Sequence, residues 1–221
     1  MIFTSLTDLI PEPHNNFADV WNIIEVQQKI YFTASNKIFI YNGKDIQVLE
    51  SGIIDFLGHV GPQIFIRNKK GLHQIIEGKI TPFKGGEKFA DIIVKDITLT
   101  KDRRLLFSTL HDGLLILNND RLEDFQGNRT FFNINKIHHS ADLCDDKLAV
   151  GTANAGLVIL GEKGKILYKL DRKNGLQNNQ ILNVFKDKAD NLWLGLNNGI
   201  DYVLMNSPFS KLLPDQDQEG T

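Results

Sequence analysis

Asn174-Gly175-Leu176-Gln177-Asn178-Asn179-Gln180-Ile181-Leu182-Asn183-Val184-Phe185-Lys186-Asp187-Lys188-Ala189-Asp190-Asn191-Leu192-Trp193-Leu194-Gly195 is the stretch that decides the fold. It holds two apolar runs, Ile181 to Phe185 and Leu192 to Leu196. Both have strand length and are too short for an amphipathic helix. Between them, Asp187 to Asn191 reads as a tight turn in which Asp and Asn side chains bond the local backbone. A second turn, Asn197-Asn198-Gly199, leads into a third run, Ile200-Asp201-Tyr202. Successive strands joined by short turns form an antiparallel meander.

Working outward, the same pattern of apolar run, polar turn and second apolar run recurs upstream. It reads Lys29 to Thr33 then Lys37 to Tyr41, Gln63 to Ile66 then Lys69 to Leu72, Leu105 to Thr109 then Asp112 to Ile116, and Leu148 to Thr152 then Ala155 to Ile159. Anchored on Ile30, Ile64, Leu105, Leu148 and Leu192, the spacings are 34, 41, 43 and 44 residues. A further strand candidate precedes each copy: Val20 to Ile24, Ile53 to Leu57, Val94 to Leu99, Ile134 to Ile137 and Ile181 to Phe185. Others follow, among them Asp45 to Leu49, Lys79 to Phe83, Arg121 to Phe125 and Lys165 to Tyr168. Four short strands in a unit of about 40–45 residues is the arithmetic of a β-propeller blade. Helical periodicity is poor throughout, and the predicted class is all-β.

The patterning fits that architecture. Middle strands, packed on both faces, should be almost continuously apolar, as Leu114 to Leu117 and Leu157 to Leu160 are. An outer strand is half solvated, as Lys165 to Lys169 suggests. Gly71, Gly113, Gly156 and Gly199 sit where turns need positive φ. The boundaries predict an outer strand of a preceding blade (Ile2 to Leu6) and linker over 1–16. Blades follow over 17–51, 52–89, 90–133, 134–179 and 180–221, with Gln218 to Thr221 as the run-in to a following segment.

Composition excludes several classes. In 221 residues, 25 Lys plus Arg face 27 Asp plus Glu, and this near-neutral balance gives no support to nucleic-acid binding. One cysteine excludes an intrachain disulfide and a cysteine-cluster zinc site. Apolar runs are far too short to span a bilayer as a helix, so no direct membrane contact is expected. The first residues, Met1 to Leu6, do not read as a signal peptide.

Residues 174–195 closely resemble the two-component regulator propeller repeat, whose pattern is Gly-Leu-x-x-Asn, an apolar strand, Asp-x-x-Gly-Asn-Leu-Trp-x-Gly-Thr, then Gly-Leu or Gly-Ile. Asp190 stands at the usual Gly and Leu196 at the Thr. The fourth unit keeps Gly151-Thr152 and Gly156-Leu157 but lacks the Trp, and the first two units are more degenerate. The wider chain resembles the periplasmic sensor regions of bacterial triple-tyrosine-motif signalling proteins. There, seven-bladed propellers precede a β-sandwich, a membrane helix and a histidine kinase or DNA-binding output. The resemblance implies a non-enzymatic, periplasmic sensory segment with no cofactor, excised from a longer sensor. A closed five-bladed ring is the alternative, and a protein-interaction scaffold is the alternative function.

In such a fold the turns between middle strands and the connections between blades gather on one face. These supply the ligand-binding candidates Asn174, Gln177, Asn178, Asn179, Asn197, Asn198, Asn154, His111, Asp112, Lys69 and Lys70, suited to a carbohydrate or another small polar ligand. Amide-rich turns also arise for conformational reasons alone. Trp193, Gly195, Gly199, Gly151, Gly156 and Gly113 are assigned structural roles, with Trp193 packed between blades and Gly151 and Gly195 at close blade approaches. His138 and His139, adjacent on a strand, should point to opposite faces and not share a metal with Asp142, Asp145 and Asp146. His139-Ser140-Ala141-Asp142 contains triad residue types but no nucleophile elbow accompanies it. The excised-segment reading predicts self-association through terminal blade faces, with Val20, Trp21 and Ile23 at one end and Leu192, Leu194 and Val203 at the other.

Overall fold

A computed structural model describes residues 5–118, 121–125, 128–143, 147–161 and 164–205. Strands β1 (Asn22–Val26), β2 (Lys29–Ala34), β3 (Lys37–Tyr41) and β4 (Ile46–Glu50) form one antiparallel sheet in sequence order. β5 (Ile54–Val60), β6 (Gln63–Asn68), β7 (Gly71–Ile76) and β8 (Lys79–Pro82) form the next. β9 (Val94–Leu99), β10 (Leu105–Thr109), β11 (Leu114–Asn118) and β12 (Arg121–Asp124) form the third, and β13 (Ile137–Asp142), β14 (Leu148–Thr152), β15 (Leu157–Leu160) and β16 (Ile166–Leu170) the fourth. The fifth comprises β17 (Ile181–Lys186), β18 (Leu192–Leu196) and β19 (Gly199–Val203). The protein is all-β, built of β-propeller blades.

The chain divides into two compact units at Ile97/Thr98. In the first unit, blades 1 and 2 share a core in which Tyr31, Ile38 and Ile40 meet Ile54, Leu57, Ile64 and Ile66. In the second, Leu106, Leu114 and Ile116 of blade 3 meet Ile137, Leu148, Val150 and Val158 of blade 4. The other face of blade 4, with Ala149, Leu157 and Ile159, packs on Ile181, Val184, Leu192 and Leu194 of blade 5. Middle strand β15 is buried at every residue, whereas outer strand β16 is exposed at its three central residues, as the hydrophobic patterning requires.

Thr109 and Thr152 show what the Thr of the repeat does. Thr152 Oγ1 donates to the Gly156 carbonyl (2.8 Å) and accepts from Ala155 N–H (2.9 Å), cross-bracing the β14–β15 turn. Thr109 does the same with Gly113 and Asp112. Gly156 closes its turn at φ 74, pressed against the Leu170 and Asp171 backbone, where a side chain has neither the dihedral nor the room.

Four features depart from the sequence reading. Leu6 is not in a strand, because Thr7–Leu9 forms a 3₁₀ turn with Thr7 N–H bonded to Ser5 Oγ. Ile2, Asn206 to Phe209 and Gln218 to Thr221 lie outside the described residues. Ile134 and Asn135 belong to a helix, α1 (Arg129–Asn135), and not to the first strand of blade 4. Two turns are too short to display periodicity, and what holds them is tertiary: Phe132 is wholly buried and Lys136, at φ 51, stops the helix. β-Bulges recur in the first strands of blades 2, 4 and 5, between Ile54/Phe56, Ile137/His139 and Ile181/Asn183.

The fourth departure concerns blade 5. Gly151 does mark a close approach, since a Cβ there would lie 2.6 Å from Ile181 Cγ2 and 2.8 Å from Val184 Cγ2. Gly195 does not, because the nearest atom to its Cβ position is Asn183 Cβ at 3.5 Å. Trp193 is 44% exposed and not packed between blades. Leu192 and Leu194, expected on the uncovered face, are fully buried. Side chains alternate along a strand, so the two leucines turn inward to blade 4 while Trp193 and Gly195 turn away from it.

Candidate functional site

In the second unit, the β10–β11, β14–β15 and β18–β19 turns share one end of the strands with the connections before β13 and β17. The connection 171–180 opens with a capping box: Asp171 accepts from Lys173 N–H and Asn174 Oδ1 accepts from Asp171 N–H. Asn174 Nδ2 also donates to the Lys169 carbonyl (2.8 Å). Asn179 reaches both ways, taking Arg172 N–H on Oδ1 (2.7 Å) and Gly156 N–H on its carbonyl (3.0 Å). Asn178 Nδ2 donates to Asn198 Oδ1 (2.9 Å), and Gln177 Nε2 donates to Asp201 Oδ1 (2.7 Å). Asn197 N–H donates to the Gln180 carbonyl, and Asn154 Nδ2 to that of Ile134.

These bonds bring Asn174, Gln177, Asn178, Asn179, Asn197 and Asn198 into one polar strip reaching the Asn154 turn. An amide offers more hydrogen-bonding positions than one or two bonds consume, so the strip is both internally braced and able to bond a ligand. His111 is exposed at the tip of its turn, and Asp112 accepts from Arg129 Nη2 at 2.5 Å. Lys69 and Lys70 lie in the first unit, on the β6–β7 turn, with Lys70 N–H bonded to Asn68 Oδ1. Sequence reasoning passed over Arg172, Lys173 and Arg129, exposed cations beside the strip in connections whose course only the folded chain displays.

A second concavity, of about 810 Å³, opens at the other end of blades 3 and 4. Lys101, Arg103, Arg104, Asp142 and Lys147 rim it over Leu106, Phe125, Leu148 and Leu160. Arg104 is paired with Asp102 at 2.7 Å. Of the cluster containing the two histidines, His138 shares a 3.0 Å hydrogen bond with the Ile181 carbonyl of the next blade, while Asp145 and Asp146 lie outside the described residues.

The motif turn in blade 5 is ordered by Asp187. Its Oδ1 accepts from Ala189 and Asn191 N–H at 2.8 and 3.0 Å, and its Oδ2 from Trp193 Nε1 and Tyr202 O–H at 3.2 and 3.3 Å. Desolvation pushes the carboxyl upward, but these hydrogen bonds outweigh it and hold its pKa below the ordinary value. Asp190 takes φ 61 at the position where the repeat pattern has Gly. Asp190→Gly is therefore expected to stabilise the protein by about 0.5–1 kcal/mol, because the Lys186–Asp190 pair it removes is half-buried and still screened by water, so that it offsets only part of the relieved strain. A urea melt reads the shift, and a fall in midpoint contradicts it.

Residues 175–198 match the family model of the two component regulator propeller. No curated protein sequence matches the chain. Among solved structures, the chain resembles the extracellular domain of a B. thetaiotaomicron protein described as a one component system, at 21% identity and TM-score 0.66, over 89% of this chain and 29% of that one. A second structure, described as the extracellular domain of a hybrid two component system from B. thetaiotaomicron, gives 21% and 0.66 over 90% and 28%. A Bacteroides caccae protein of unknown function gives 12% and 0.57 over 78% and 68%. The chain thus spans less than a third of the first two domains, and at these identities the likeness speaks to the fold. No helix among the described residues is long and apolar enough to cross a membrane.

Proposed function

We propose that this chain is a sensory propeller segment of a membrane-spanning signal-transduction protein of the two-component regulator type. It acts in the periplasm, without catalysis or cofactor, and takes a carbohydrate or other small polar ligand on the amide strip. The observation that carries the reading is the match over residues 175–198, whose Asp187 turn, Trp193 and Gly195 occupy motif positions in the last of five successive antiparallel sheets. The strip suits recognition because it joins two blades through side-chain bonds. A ligand that bonded both the 171–180 connection and the β18–β19 turn would favour one blade geometry over another, which is how binding biases a conformational equilibrium. That bias would pass onward to a membrane helix and its output.

Titration calorimetry against a panel of neutral oligosaccharides tests it. Saturable binding is expected, lost in Asn178→Ala/Asn198→Ala and retained in Arg104→Ala, with unchanged circular dichroism in both variants. Binding lost only in Arg104→Ala moves the site to the concavity between blades 3 and 4. No binding by the wild type, with no rise in melting temperature across the panel, favours the scaffold reading, which the exposed Trp193 face also supports.

A further inference from the structure

We infer that the concavity between blades 3 and 4 is a second binding site, for an amphiphilic carboxylate: one anionic head on an apolar chain. The starting point is the turn between β9 and β10. Thr100 N–H donates to the Arg104 carbonyl (2.9 Å) and Arg103 N–H to that of Thr100 (2.8 Å). The motif turn of blade 5 is bonded in the same way, Asp187 N–H to the Asn191 carbonyl (2.9 Å) and Asp190 N–H to that of Asp187 (3.1 Å). Arg103 is therefore the counterpart of Asp190, and it takes φ 62 where Asp190 takes φ 61.

That is the Gly position of the repeat pattern. Asp tolerates the left-handed region because its short side chain bonds locally, a compensation Arg lacks. Backbone strain of this kind persists where the side chain is needed, and Arg103 lines the concavity. It is exposed, and its guanidinium has no acidic partner among the described residues. Arg104 beside it gives Nε to Asp102 (2.7 Å), which also accepts from Thr100 Oγ1 at 2.5 Å, so the Asp102 charge is met within the turn.

Buried Leu106, Leu148 and Leu160 floor the cavity, with half-buried Phe125 in its wall and Lys147 on the blade 4 side. Blades 3 and 4 are four-stranded sheets that share a core, so the cavity belongs to their junction and not to an uncovered blade. Its volume, about 810 Å³, suits one small-molecule ligand. A guanidinium matches a carboxylate through two parallel hydrogen bonds, and the leucine floor gains from each methylene it covers. Asp102 and Asp142 stand on the same rim. They oppose a dianionic head more than a monoanionic one, which selects carboxylate over phosphate. The site lies at the opposite end of the strands from the amide strip and does not rest on the reading proposed for the strip.

Titration calorimetry with octanoate, kept below its micelle concentration, tests this. Saturable binding is expected, with octanol (the chain without the charge) and acetate (the charge without the chain) each weaker by about tenfold or more. Arg103→Gly carries the decision. It should weaken octanoate binding about tenfold or more and yet raise the urea midpoint, because Gly relieves the strained turn. Arg103→Gln, which keeps the strain, should lose binding without that rise. Asn178→Ala/Asn198→Ala should bind octanoate as wild type does. Octanol or acetate binding as tightly as octanoate, or an Arg103→Gly chain that binds as wild type does, overturns the proposal. A wild type without saturable octanoate binding overturns it outright. Loss of octanoate binding in the Asn178→Ala/Asn198→Ala chain overturns it as well, since it would place the carboxylate on the strip.

Discussion

Gly151→Val is expected to destabilise the second unit by about 3 kcal/mol, while the same substitution at Gly195 leaves stability within about 0.5 kcal/mol of wild type. The two glycines hold the same place in the repeat, so intrinsic strand propensity cannot separate them. What separates them is the neighbour. A side chain on Gly151 meets Ile181 and Val184 at 2.6 and 2.8 Å, inside a core in which both are buried. Those side chains cannot withdraw without disturbing Leu192 and Leu194 behind them. A side chain on Gly195 enters ordinary contact with Asn183 on an open face. Urea melts of the two variants at low protein concentration read the difference. Equal losses at both positions would show that blade 5 is covered in solution.

Arg67→Ala should cost about 3 kcal/mol in the first unit. The Arg67 side chain is 6% exposed, ion-paired with Asp55, and donates from Nε to the Phe89 carbonyl at 2.9 Å and from Nη2 to the Ala90 carbonyl. It ties the 3₁₀ turn Gly86–Phe89 to β6, and its loss takes a donor from the Ala90 carbonyl, leaves the Phe89 carbonyl with Ile92 N–H, and opens a cavity at a buried position. The loss lies at the low end for a broken buried pair because Asp55 is 39% exposed and can turn to water. Arg67→Lys should recover little, since one ammonium cannot serve three acceptors in a fixed fork. A chemical melt of each variant checks both expectations, and a full rescue by Lys would reduce the clamp to a simple charge pair.

Asp55 adds a pH signature. Burial raises its pKa above the ordinary value, and the attraction of Arg67 offsets only part of that rise. The native chain therefore binds this proton more readily than the unfolded chain does. The stability it contributes is present below the unfolded pKa and is lost as pH rises through the folded one. Melts across the acid range should show that loss in wild type and not in Asp55→Asn.

Strand positions, the recurrence of five units and the turns closed by Gly113 and Gly156 were legible in the amino-acid sequence, because alternation and positive φ are local properties. The Asp187 turn was legible for the same reason: its side chain bonds Ala189 and Asn191, two and four residues away. The candidate site was legible as a set of amides but not as a strip, since the bonds Asn178–Asn198 and Gln177–Asp201 join residues 20 and 24 positions apart. Arg67 gave no signal, because its acceptors are carbonyls that any residue could supply. Helix α1 was hidden by its length and is held from outside by Phe132. Alternation also places Trp193 opposite Leu192 and Leu194, yet it does not say which face meets a neighbour. Only the packing of Ile181 and Val184 onto Gly151 decides that the leucines are core and the tryptophan is surface, because burial belongs to a pair of sheets and not to one strand.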